Sequence, residues 1–148
     1  MSYEIPPQRK PESDNGYLEE LTRAVFQVGF SWRVIRDKWP EFKRSFEGFD
    51  IATVAGYGEP DLERLSADQG IVRNRRKIEA TIQNARTMWD LIQEYGSFHA
   101  YLRSLDRLDY GGRRAELCRR FQNVGPTAVF VFLWCVAEEV PEWEERAG

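Results

Sequence analysis

Residues 26–32 read Phe26-Gln27-Val28-Gly29-Phe30-Ser31-Trp32, an apolar stretch cut by a glycine and restarted by a serine. Upstream, Leu18, Leu21, Val25 and Val28 fall on one helical face from Tyr17 onward, so the stretch begins as a core-facing helix that stops at Gly29. Downstream, Ser31 is placed to cap a second helix through Trp39, and Pro40 to start a further short turn. The same punctuation continues along the chain. Asp50 caps Ile51 to Ala55, Glu59-Pro60-Asp61 opens a helix through Leu65, and Ile78, Ile82, Ala85, Trp89 and Ile92 mark the inner stripe of the longest helix, which ends at Gly96. Ser97 caps a segment through Leu105, Gly111-Gly112 breaks the chain, and a helix from Arg113 to Phe121 leads into Asn123-Val124-Gly125-Pro126-Thr127. The apolar run Ala128 to Val136 has strand-like Val and Phe content, but no partner strand is visible elsewhere. It reads as a buried helix, and the chain as all-α.

Composition agrees with one soluble helical domain. A chain of 148 residues and 17.4 kDa, 42% hydrophobic and 30% charged, buries roughly 70% of the surface its unfolded form exposes. The first sixteen residues carry Pro6, Pro7 and Pro11 without an apolar period and read as an extended arm; residues 17–140 form the domain, and residues 141–148 an acidic tail. Cys118 and Cys135 lack a local partner spacing, which suits free thiols in a reducing cytoplasm. The run from Ala128 to Ala137 is about half the ~20 residues that a bilayer helix needs. A formal charge of -3 argues mildly against wrapping DNA by net charge alone, so the placement of charge has to outweigh its sum. Two basic clusters do this: Arg73, Arg75, Arg76 and Lys77, and then Arg113, Arg114, Arg119 and Arg120.

The opening stretch, then Phe42, Phe46, Phe49-Asp50 and Val54-Ala55, then Gly70-Ile71-Val72-Arg73-Asn74, Lys77-Ile78, Ala80, Asn84-Ala85-Arg86, Gly96-Ser97-Phe98 and Val124-Gly125-Pro126-Thr127, resembles the DNA-3-methyladenine glycosylase I family in order and spacing. The resemblance covers roughly residues 18 to 137 and implies a helix-hairpin-helix DNA glycosylase fold. It further implies binding of duplex DNA, extrusion of an alkylated purine and hydrolysis of its N-glycosidic bond, by a monomer without a cofactor. In these terms Trp32 and Gln27 line the base pocket, Gly29 and Phe30 form the wedge that fills the gap in the duplex, and Val124, Gly125 and Thr127 bind a phosphate with help from Arg73 and Lys77.

This sequence also departs from the family. The family's pocket glutamate falls on Ala24, preceded by Arg23 where the family has leucine. Its N-terminal Tyr-His-Asp segment has no recognisable counterpart, Tyr3 being the nearest tyrosine, and Asn123 stands where the hairpin usually has Phe. The family's two-Cys, two-His zinc clip has no equivalent here, because the single histidine, His99, is mid-chain; no zinc is expected. Glu20, one turn before Ala24, is the nearest candidate for a replacement acid.

Each of these positions also has a plainer reading. A glycine turn between helices need not bind anything, Trp32 and Phe30 can be core, Gln27 can be a capping amide, and exposed arginines can simply solvate a face. A methylated purine already carries positive charge and leaves with little acid assistance, which favours a divergent glycosylase of base excision repair over inactivity. The alternative is a non-catalytic module that binds DNA lesions or a protein partner.

Overall fold

The computed structural model describes residues 7–148, so Tyr3 lies outside the described residues. Among them are eight α-helices and no strand: α1 Asp14–Gln27, α2 Trp32–Ser45, α3 Ile51–Ala55, α4 Glu59–Ser66, α5 Arg75–Tyr95, α6 Phe98–Ser104, α7 Tyr110–Arg120 and α8 Pro126–Cys135. Short 3-10 turns follow α2, at Glu47–Phe49, and close the chain, at Trp143–Glu145.

The caps act where the side chains allow them. Ser31 accepts from the Val34 amide, Asp50 from Thr53, Asn74 from Lys77, Ser97 from Ala100 and Asp109 from Gly112, so one orphan donor at each of these helix starts gains a partner. Gly96 ends α5 with φ 94°, a conformation that disfavours a side chain. Core packing is organised around α5, which carries α3, α4 and α6, while α1 lies along α8. Trp39 and Phe46 stack on Phe49 at centroid distances of 5.3 Å, and Phe42 meets Phe26 edge-on at 4.8 Å. A second aromatic cluster joins Tyr17, Tyr101, Phe121 and Phe132 around Phe98.

Four expectations need correction. Helix α1 begins at Asp14, before Tyr17, because the Asp14-Asn15-Gly16 run is helical and both acceptors are used: Asp14 takes the Phe98 amide at 2.9 Å and Asn15 the Ile51 amide at 2.9 Å. Pro40 does not start a new turn but sits inside α2 on its exposed side; burial of Ile35, Trp39 and Phe42 along the opposite face outweighs the missing amide bond. Gly111 and Gly112 do not break the chain, since Asp109 caps α7 ahead of them and they occupy its first turn. Trp89 is 43% exposed, and Met88 and Leu91 are buried on α5 in its place.

The end segments also pack. The Arg9 amide donates to the Cys135 carbonyl at 2.8 Å, tying residues before α1 to the end of α8. Trp143 meets Phe130 edge-on at 5.3 Å, so the acidic tail is docked on α8. No helix among the described residues is long and apolar enough to cross a membrane.

Candidate base and DNA site

The C-terminal half of α1 and the start of α2 meet at the turn Val28-Gly29-Phe30-Ser31. Gly29 has φ 89°, which lets the chain reverse without a side-chain clash. Val28, Phe30 and Val34 stand about 40% exposed at this turn (42%, 40% and 41%), an apolar ridge beside the half-buried Trp32. Lys77 reaches the turn from α5: its Nζ donates to the Val28 carbonyl at 2.6 Å and lies 5.6 Å from the centre of the Phe30 ring. Desolvation lowers the Lys77 pKa. This ammonium neutralises carbonyls at the end of α1 and positions the ridge. Arg73 is exposed and has no ion pair among the described residues, whereas Arg75 is engaged by Glu59, Glu63 and Glu79.

Below the ridge, Gln27 is fully buried and Ala24 is 1% exposed, so a buried methyl stands at the position to which the family resemblance assigns a carboxylate. The charges lie on the neighbouring face of α1. Arg23 donates to Glu19 at 3.2 Å and lies 3.6 Å from Glu20. Its guanidinium carbon sits 4.7 Å from the Trp39 ring centre and 5.2 Å from that of Trp32. Glu19 also accepts the Trp39 indole N–H at 2.9 Å and faces Lys43 at 3.8 Å. Glu20 is 5% exposed, and desolvation raises its pKa against the pull of Arg23. Beside Glu19 opens a cavity of about 390 Å³ whose lining includes Arg9, Lys10, Asn15 and Gly48.

The hairpin lies between α7 and α8. Asn123 has φ 58°, in the left-handed region that Asn tolerates better than most side chains. Asn84 on α5 grips the loop at both main-chain atoms of Gln122: its Oδ1 accepts the amide at 2.7 Å and its Nδ2 donates to the carbonyl at 3.2 Å. Val124 is buried and anchors the turn. Gly125 caps α8 with φ −101°, makes no side-chain cap bond, and a Cβ there would meet nothing within 4 Å. Thr127 Oγ1 accepts from Arg146 Nε at 3.2 Å, and Arg146 in turn lies 3.9 Å over the Trp143 ring.

The structure brings Gln27, Gly29, Phe30 and Trp32 to the α1–α2 turn and places Val124, Gly125 and Thr127 in the α7–α8 loop, while three arrangements were not foreseen in the sequence. The Arg23 stack had one visible signal, the four-residue spacing of Glu19 and Arg23. Asn84 was noticed without its task, and Arg146 acts across the fold, where no spacing reports it. Cys135 is buried with its thiol pKa pushed up to about 12 by desolvation, so it is an inert packing residue.

The methyladenine glycosylase family model matches residues 9–117, well over half of the chain. The chain belongs to this family. It is 39% identical over 84 residues to DNA-3-methyladenine glycosylase 1 of Escherichia coli (strain K12), a match covering 56% of this chain and 45% of that protein. It is 31% identical over 78 residues to the DNA-3-methyladenine glycosylase of Haemophilus influenzae, covering 52% of this chain and 42% of that one. The matches thus span a little under half the length of either relative. Among solved structures it resembles 3-methyladenine DNA glycosylase I from Staphylococcus aureus, determined for its recognition of 3-methyladenine, with a TM-score of 0.76 at 26% identity over 86% of this chain and 78% of that one. This likeness agrees with the all-helical architecture of this family member.

Proposed function

We propose that this chain is a DNA glycosylase of base excision repair that grips damaged duplex DNA with its α7–α8 hairpin and takes an extruded alkylated purine against Trp32. The observation that carries the reading is the hairpin. Gly125 has neither a left-handed backbone nor a crowded Cβ, so the fold itself does not need a glycine there. A close external approach to the backbone does. The uncapped start of α8 points amide donors and the positive end of its dipole to the outside, which favours a phosphate. The exposed Phe30 ridge is suited to unstack a base step, and the half-buried Trp32 follows it two residues on.

In the reaction the C1′–N bond breaks and its electron pair leaves with the base, while a water oxygen bonds to C1′ and releases its proton. With Ala24 in the pocket, binding and orientation supply the catalysis. The same methyl supports a second reading, a module that binds lesions without turnover.

Duplex DNA treated with an alkylating agent, incubated with the protein and analysed for released bases by chromatography, tests the choice. Release by the wild type that Trp32→Ala abolishes supports the enzyme. Retention of an abasic-site duplex without release supports the binding module, and failure of both contradicts the DNA reading.

A further inference from the structure

The C-terminal turn brings a cation to the hairpin. Residues 141–148 lie beyond the stretch that resembles the glycosylase family, and Trp143 docks them on α8 against Phe130. Arg146 follows three residues later. Its guanidinium carbon lies 3.9 Å over the Trp143 ring, its Nη1 donates to the Trp143 carbonyl at 2.9 Å, and its Nε donates to Thr127 Oγ1 at 3.2 Å. The Arg114 side chain donates to the Arg146 carbonyl at 3.4 Å, which fixes the main chain as well. Arg146 is half-buried, and its Nη2 has no acceptor among the described residues. Glu142, Glu144 and Glu145 stand in the same segment, yet none of them pairs with it there.

Two features of this arrangement do nothing for the fold by themselves. A cation beside the start of α8 has the same sign as that end of the helix dipole, so the placement is repulsive. The Thr127 hydroxyl, in the first turn of α8, accepts from Arg146 and has no acceptor for its own proton among the described residues. The first-turn amides of α8 lack acceptors within the helix too. Guanidinium, hydroxyl and amides are thus neighbouring donors that an oxygen-rich anion would satisfy together, and its charge would turn the repulsion into attraction.

We infer that Arg146 is a DNA-phosphate contact of the α7–α8 hairpin, supplied by the C-terminal segment, and that it orients the Thr127 hydroxyl toward the same phosphodiester. The inference rests on the proposed DNA-binding role of the hairpin and adds to it a segment whose composition reads as an acidic tail. Stacking on Trp143 and the two hydrogen bonds hold the guanidinium in place before DNA arrives, so little side-chain freedom is lost on binding.

Affinity for an abasic-site duplex, followed by fluorescence anisotropy over roughly 50–200 mM salt, tests this with two variants. Arg146→Gln keeps an amide donor for Thr127 and removes the charge; Arg146→Lys keeps the charge. The glutamine variant is expected to bind about tenfold more weakly, and its plot of log affinity against log salt to be shallower by about 0.9, the share of one phosphate. The lysine variant is expected to keep the wild-type slope. A glutamine variant with the wild-type slope overturns the inference whether or not its affinity falls, because a role confined to docking the tail releases no counterion. If Gly125→Ala weakens binding while both Arg146 variants bind as the wild type does, the inference falls and the hairpin reading stands. A wild type that does not bind the duplex overturns both.

Discussion

Glu20 is a carboxylate on which burial acts more strongly than its cationic neighbours, so its folded pKa is raised above the unfolded value. Between those two values the folded state holds more proton, and stability contributed by this group falls as pH rises through the window. Glu20→Gln removes that dependence. Its melting temperature should match or exceed that of the wild type at neutral pH and lose the advantage toward pH 4, as thermal melts across this range will show. Glu116 behaves oppositely: burial would raise it, but hydrogen bonds from Arg120 and Arg119 outweigh that and hold it below the usual range, so its contribution is lost as pH falls. Ala137 stores strain of another kind. It holds φ 64° just past α8, where the Glu138 amide closes onto the Leu133 carbonyl at 2.8 Å. Relieving it with Ala137→Gly is expected to stabilise the protein by about 0.5–1 kcal/mol, a rise of roughly 1–4 °C in Tm. Glu20 was singled out in the sequence but its burial was not legible there, because it depends on segments far away, and the left-handed Ala137 has no signature of its own.

Helices were legible where apolar period and cap coincided. Asp50, Ser97 and Gly96 announced their boundaries, since a cap is a local interaction between residues close in sequence. Pro40 and the Gly111-Gly112 pair misled for the converse reason: local propensity marks both as interruptions, and only packing and the Asp109 cap show why the helices continue through them. The hairpin depends on such a non-local tie. Asn84→Ala leaves the main chain of Gln122 without its two contacts, at a cost of about 1–3 kcal/mol. We expect lower thermal stability, faster amide exchange at residues 121–125 and weaker DNA binding, while exchange in α2 is unaffected. Lys77→Met should loosen the end of α1 in the same local way, read as faster exchange of the amides at residues 28–30.

At the scale of the molecule, the ordered blocks from Phe26 to Thr127 carried both the family and the all-helical architecture, because they contain the turns and aromatics that bring the helices together. They did not show that Arg23 fills the face of Trp32, which requires α1 and α2 to be packed. A chain of net charge -3 that binds DNA must do so with one face, and its affinity should fall steeply with salt in proportion to the phosphates contacted. The most direct test of the account is the affinity for an abasic-site duplex, by fluorescence anisotropy, of the wild type and Gly125→Ala, with melting temperatures measured in parallel. The predicted result is salt-sensitive binding by the wild type, at least tenfold weaker in the variant, with little change in melting temperature because the added Cβ meets nothing within 4 Å. Equal affinity in the two proteins, or no binding by the wild type, would contradict a hairpin built to receive a DNA phosphate.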